Sequence, residues 1–199
     1  MRATKTILIL AAVMVVAAPP VVGAPMLNEF HYDNTGADVG EFVEVVLSAA
    51  ADPTAVTVTL YNGNSGAQYG THNVGSFTYH GTLADGNDYY SLSLPTNGLQ
   101  NGSPDGIAVD VGGVVAEFWS YEGTFVAADG PAAALTSVDV GVAESGGTAV
   151  GSSIQRLAFG PTWVLTEGSS TLGAINVPEP ATLALLAVGA CLPLLRKRK

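Results

Sequence analysis

Short apolar runs separated by turn-forming residues fill the middle of the chain and restrict its fold more than any other feature. Between residues 26 and 175, the two-residue apolar period of a strand recurs, and no long segment has the period of a helix. In residues 55–61, Val56, Val58 and Leu60 share one face, which is typical of a strand with one buried side. Strands are predicted over residues 26–32, 41–47, 55–61, 76–80, 89–94, 106–111, 114–120, 152–159 and 162–165.

Turn-forming residues separate these runs, at residues 62–66, 85–87, 97–98, 101–106 and 112–113. Asn, Asp and Gly accept the positive φ that tight turns between strands require. Many short strands in one chain favour two sheets packed face to face. We therefore predict an all-β protein, an antiparallel β-sandwich, with one core that contains Val43, Val45, Val58, Leu60, Ile107 and Val109.

The charged residues are distributed unevenly along the 199 residues, a length that fits one domain. Six of the seven basic residues lie near the termini, and Arg156 is the seventh. Sixteen of the seventeen acidic residues lie between residues 25 and 176. We expect this region to have a strongly acidic surface. Nucleic acid is excluded as a partner, because its phosphates are bound mainly through Lys and Arg.

Residues 1–24 have the features of a signal peptide that delivers the chain to the secretion machinery. Arg2 and Lys5 precede an apolar run over residues 7–18, and two prolines and small residues follow. Cleavage after Ala18 or Gly23 is compatible with this pattern. An uncleaved anchor helix is the alternative, although the apolar run is short for a span.

The C-terminal residues 177–199 combine three elements in a fixed order. Pro178, Glu179 and Pro180 come first, an apolar run over residues 181–195 follows, and the chain ends in the basic residues Arg196, Lys197, Arg198 and Lys199. As a transmembrane helix the apolar run would be about 22 Å long, shorter than a hydrocarbon layer of about 30 Å. Basic residues at the outer side of both apolar segments predict cytoplasmic chain ends and an exported middle.

This order resembles the PEP-CTERM sorting signal of Gram-negative bacteria. The resemblance implies recognition by an exosortase, a membrane-embedded protease thought to cleave near the Pro-Glu-Pro motif. It also implies a host that makes exopolysaccharide or biofilm matrix, and a path through the inner membrane to the cell surface or the extracellular matrix. A plain tail anchor, which needs only a short apolar segment and a basic stop, is the alternative.

Residues 25–176 resemble a second family, the bacterial lamin-tail-like domain. The similar segments are residues 27–34, 40–45, 60–63, 97–108, 120–123 and 151–155, together with Trp163. The resemblance implies an immunoglobulin-like β-sandwich of the kind found in secreted proteins and beside some extracellular nucleases. Since the sorting tail directly follows this region, nuclease activity is not implied.

No catalytic residues are predicted, and we expect a protein that is not an enzyme. His31, His72 and His80 are scattered and lack the spacing of a zinc or copper site. No Gly-x-Ser-x-Gly segment marks a serine nucleophile. Trp119, Tyr121 and Phe125 are candidates for a sugar-binding patch, but core packing is the simpler interpretation for two of them.

Calcium is the one metal that the sequence suggests, and no other cofactor is predicted. Asp33, Asn34, Asp38 and Glu41 form the densest group of oxygen ligands. They do not follow the calcium-loop pattern of EF-hands, so a structural role in turns is the alternative.

Together these features predict an exported structural or interaction module of the cell envelope or matrix, with exopolysaccharide or another matrix component as a possible partner. The alternative is an accessory domain of an extracellular hydrolase or nuclease that acts on a polymer. That alternative requires a concave site with convergent polar residues.

Overall fold

The computed structural model describes residues 23–176, which form two β-sheets. Sheet A has six strands in the order β11-β10-β1-β2-β6-β5, and sheet B has five in the order β4-β3-β7-β8-β9. The strands of sheet A are β1 (Met26–His31), β2 (Phe42–Ser48), β5 (Thr78–Thr82), β6 (Asn87–Ser93), β10 (Ser153–Arg156) and β11 (Trp163–Thr166). Those of sheet B are β3 (Val56–Asn62), β4 (Gln68–Asn73), β7 (Asp105–Val111), β8 (Val114–Tyr121) and β9 (Val138–Asp139). The other regular elements of residues 23–176 are two 3-10 turns, Pro53–Ala55 and Val74–Ser76.

The two sheets enclose one principal core. Val43 and Val45 of sheet A meet Val58, Leu60 and Ile107 of sheet B in a single cluster of buried residues. Val109 belongs to the same cluster, so the predicted core is confirmed for all six residues. The all-β class is therefore established by packing, because each sheet buries the alternate side chains that face the other sheet.

All nine predicted strands have a counterpart in the structure, with bounds that agree within three residues. Two strands were not predicted. The edge strand β4 contains mostly polar residues and Gly70, and β9 is only two residues long. Strand β9 pairs with β8 in parallel, with Trp119 opposite Val138. The prediction of a purely antiparallel sandwich is wrong at this edge, where a long connection returns the chain to run alongside β8.

The sandwich has two distinct ends. At the entry end, β1 begins with Met26 opposite Val46, and the connections at residues 83–86, 112–113 and 157–162 lie nearby. At the far end lie residues 32–41, 63–67, 94–104 and the segment that follows Tyr121. The side chain of Glu117 on β8 accepts a hydrogen bond from the Leu27 N–H, which ties the two sheets together near the entry end.

The C-terminal strap, residues 170–176, crosses the outer face of sheet A after β11. Thr171 contacts Glu29 in the middle of β1, and its hydroxyl lies next to Oδ1 of Asn176. The Asn176 amide donates to the carbonyl oxygens of Asn28 and Arg156, at 2.9 and 3.1 Å. Residues 171–176 therefore form a loop whose two ends meet over the middle of β1, and Ile175 packs with Met26 and Val46 towards the entry end.

The terminal segments are outside the described residues. This applies to residues 1–22 of the predicted signal peptide and to residues 177–199, which contain Pro178, Glu179 and Pro180, the predicted transmembrane helix over residues 181–195 and the basic residues 196–199. Within residues 23–176, no helix is long and apolar enough to cross a membrane.

Candidate functional site

Glu41, one of the four predicted calcium ligands, accepts hydrogen bonds from backbone N–H groups. Its side chain is buried at the far end, where Oε1 accepts the N–H of Asn97 and Oε2 accepts the N–H of Leu99, both at 2.7 Å. Burial raises the pKa of Glu41, while the bonds to these N–H groups act against the rise. Because both carboxylate oxygens bind backbone, Glu41 acts as an anchor for residues 97–99.

The other three predicted ligands lie together in the connection between β1 and β2. Asp38 is buried and accepts hydrogen bonds from the Asn34 N–H at 3.3 Å and from the Asn101 amide at 2.8 Å. Partial burial, with the charge of Asp38 added, raises the pKa of Asp33. Among residues 23–176, no group of three or more His, Cys, Asp and Glu side chains is placed to hold a metal ion. Calcium binding by this loop stays a prediction.

His31 and Glu144 form a buried pair beside this loop. His31 Nδ1 lies 2.8 Å from Glu144 Oε1, and the other carboxylate oxygen accepts the N–H groups of Tyr32 and Asp33 at 2.7 and 3.0 Å. Burial alone lowers the pKa of His31, but the hydrogen bond and charge of Glu144 outweigh it and the net pKa is raised. His31 Nε2 contacts the Asn34 amide at 2.8 Å, so both ring nitrogens are engaged.

A cavity of about 230 Å³ lies on the outer face of sheet A near the far end. Phe42 and His31 contribute to its walls, and Val39, Val150 and Leu172 are exposed side chains at its margin. Its lining contains no carboxylate. The cavity has room for a small group, and the polar side chains of its lining are His31, Ser152 and Ser170.

The predicted aromatic patch is divided between core and surface. Tyr121 and Phe125 are buried, as core packing predicts, whereas Trp119 is half-buried. Trp119 and Trp163 form an edge-to-face pair with ring centres 5.4 Å apart, and the Arg156 guanidinium lies 5.1 and 5.6 Å from the two centres. The Arg156 guanidinium contacts both indole rings, and cation–π contacts of this kind stabilise the folded structure.

The expectation of a strongly acidic surface needs correction. Nine of the sixteen acidic side chains within residues 23–176 are buried, and two more are half-buried. Most of the buried ones accept hydrogen bonds from backbone N–H groups, which partly replace the lost hydration. The fully exposed acids of the described chain are Asp52, Glu122, Asp129, Asp139 and Glu167.

Comparison of the chain with models of protein families, with curated proteins and with solved structures found no match. The resemblances to the PEP-CTERM signal and to the lamin-tail-like domain stay predictions. Function must be argued from the residues and their geometry.

Two fully buried glutamates hold the C-terminal strap. Glu29 and Glu44 face each other across β1 and β2 on the outer face of sheet A. Glu29 accepts the Thr171 N–H and hydroxyl, and Glu44 accepts the Gly173 N–H at 2.6 Å. Burial raises the pKa of Glu44 to about 8, and the nearby charge of Glu29 adds to the rise. These contacts between the two glutamates and the strap were not predicted from the sequence, because the bonded residues are more than 120 positions apart in the chain.

Proposed function

We propose that the protein is an exported structural or interaction module of the cell envelope or matrix, sorted and cleaved through its C-terminal tail. The observation that carries this proposal is the order of the sequence after the domain. Asn176, whose amide is bonded to the sandwich, is followed two residues later by Pro178. The Pro-Glu-Pro motif, the apolar run and the basic end then follow one another in the sequence.

We further infer that the domain is an immunoglobulin-like sandwich of the lamin-tail-like kind. The two-sheet all-β architecture supports this assignment. The carboxylates of Glu41 and Glu144 accept backbone N–H groups of loops, which supports a structural role for these two side chains. Matrix components such as exopolysaccharide are the partners that the tail resemblance suggests.

The alternative, an accessory module of a hydrolase or nuclease, has one observation in its favour. His31 lines the cavity and is oriented by the buried carboxylate of Glu144, as general bases often are. However, a general base needs a free ring nitrogen, and the second nitrogen of His31 contacts Asn34. The binding module is therefore the better supported function.

Replacement of Pro178, Glu179 and Pro180 by alanine tests the sorting step in the native host. We expect the variant to accumulate as an unprocessed precursor in the inner membrane, because prolines keep this stretch extended and accessible to a membrane protease. Cell fractionation and immunoblotting measure the outcome. Equal processing of the variant and the wild type would contradict the proposal.

A further inference from the structure

Both ends of the described chain lie on the half of the sandwich towards the entry end. Strand β1 starts there at Met26, after the exposed Gly23 and Ala24 and the buried Pro25. The strap brings Asn176 to the same half, where its amide binds the Asn28 carbonyl of β1. In the sequence, one apolar segment lies beyond each of these two points.

The exposed acids are concentrated away from this end. Glu122 directly follows the far end of β8, and Asp139 pairs with Ser120 beside it. Asp129 accepts the N–H of Gln68 at the far end of β4, and Glu167 follows the far end of β11. Of the exposed acids in residues 23–176, only Asp52 lies near the entry end, in the connection between β2 and β3.

The entry end also presents apolar side chains, as the far end does with Val126 and Val150. The hairpin between β7 and β8 turns there at Gly112 and Gly113, whose φ values are 58° and 86°. This turn leaves Val114 73% exposed and Val111 39% exposed. Asp110 accepts the Gly113 N–H at 2.8 Å, which holds the turn in shape.

A second apolar group surrounds the point where the strap leaves. Phe159 and Leu83 are half-buried and pack with Ile175 of the strap against Tyr89. Both residues belong to connections at the entry end. The entry end therefore combines the chain attachments, partly exposed apolar side chains and few exposed charges.

We propose that the entry end is a membrane-contacting surface in the membrane-held precursor, with Val114 at the hairpin tip reaching the lipid head groups. This inference rests on the proposed function, since it requires the tail to be inserted in a bilayer. Attachment at the entry end brings Val114 towards the lipid, and valine loses unfavourable contact with water there. Bacterial membranes contain anionic lipids, which repel the acidic far end and favour the same orientation.

Site-specific fluorescence quenching in the full-length precursor tests this orientation. Cys191 is the single cysteine of the chain, so Cys191→Ser gives a background for single labels. Val114→Cys reports on the entry end, and Val126→Cys is the matched control, since Val126 is 56% exposed and lies beside Gly66 at the far end. Ala84→Cys is a second, exposed reporter in the turn between β5 and β6, and it keeps the test valid if Val114→Cys unfolds the domain.

The labelled precursors are reconstituted in vesicles of phosphatidylethanolamine and phosphatidylglycerol that carry nitroxide on the lipid head groups. We expect the labels at positions 114 and 84 to lose most of their fluorescence and the label at position 126 to keep it. Equal quenching at all three positions, or stronger quenching at position 126, would overturn the orientation alone. Failure of the precursor to float with the vesicles would overturn the membrane-held state, and with it the proposed function.

Discussion

Arg156 is the single basic side chain among residues 23–176, and it is buried between two tryptophans. Its guanidinium forms an ion pair with Glu117 at 2.7 Å and donates to the carbonyl oxygens of Gly160 and Leu27. The planar fork of arginine satisfies these acceptors together, and a lysine ammonium does not.

Arg156→Lys is therefore expected to lower the free energy of unfolding by about 3 kcal/mol, since it leaves Glu117 and two carbonyls poorly partnered. Urea titration followed by tryptophan fluorescence measures the change. Glu167→Gln, which alters an exposed charge, is the control and should change stability by less than about 0.5 kcal/mol. A similar stability for Arg156→Lys and the control would show that the cluster is not a structural support.

Melting curves with and without calcium distinguish calcium binding at the far end from a purely structural role of the same residues. If Asp33, Asn34, Asp38 and Glu41 bind calcium, millimolar calcium raises the melting temperature of the wild type by mass action, and Asp38→Ala abolishes the rise. The structural alternative predicts the same melting temperature with and without calcium. Both carboxylate oxygens of Glu41 accept backbone N–H groups, of Asn97 and Leu99, and this favours the structural alternative.

At the scale of single residues, the apolar core was predictable and the buried acids were not. Val58 and Leu60 follow a local alternation that is visible in the sequence. The burial of Glu44 or Glu144 depends instead on partners brought close by the fold, such as Gly173 or Tyr32. A count of acidic residues therefore overstates the charge that the surface carries.

The free energy of unfolding is expected to depend on pH through Glu44, which holds the strap. Glu44 has a pKa of about 8 in the folded protein and 4.5 as its ordinary value, so the folded state binds its proton more tightly. Stability contributed by the protonated form is fully present below about pH 4.5 and is lost as pH rises towards about 8. Groups around Glu44 include Glu29, the Asn28 amide and the Gly173 N–H.

Glu44→Gln removes this titration. We expect the variant to gain stability relative to the wild type between about pH 5 and about pH 9, by on the order of 3 kcal/mol. Denaturant titrations at both pH values measure the difference, with Asp139→Asn as a control at an exposed acid. A difference between variant and wild type that does not change with pH would contradict a buried, proton-binding Glu44.

At the scale of elements, the alternation of apolar residues and the positions of turn residues were sufficient to predict nine of the eleven strands. The hairpin of β7 and β8 is a clear example, since Gly112 and Gly113 mark its turn in the sequence and adopt positive φ in the structure. Strand β4 lacks an alternating apolar face because it is an edge strand that pairs on one side, with β3. The strap has no periodic pattern at all, since specific hydrogen bonds to Glu29 and Glu44 hold it in place.

At the scale of the whole molecule, the two ends of the described chain lie on the same half of the sandwich, and the sequence places an apolar segment beyond each of them. In the proposed membrane-held precursor, the acidic loops at the far end would face away from the membrane, towards the proposed partners in the envelope or matrix. This polarity comes from the path of the strap, which no local sequence pattern predicts.

The intact mass of the protein recovered from its native host tests the central claim most directly. The account predicts a mature protein that lacks the signal peptide and ends at or near Pro178, Glu179 and Pro180, found outside the inner membrane. Loss of the tail should leave the domain folded, because both sheets and the strap are formed by residues 23–176. A mature protein that still contains Arg196 to Lys199 and stays in the inner membrane would contradict the account and show an anchored envelope protein instead.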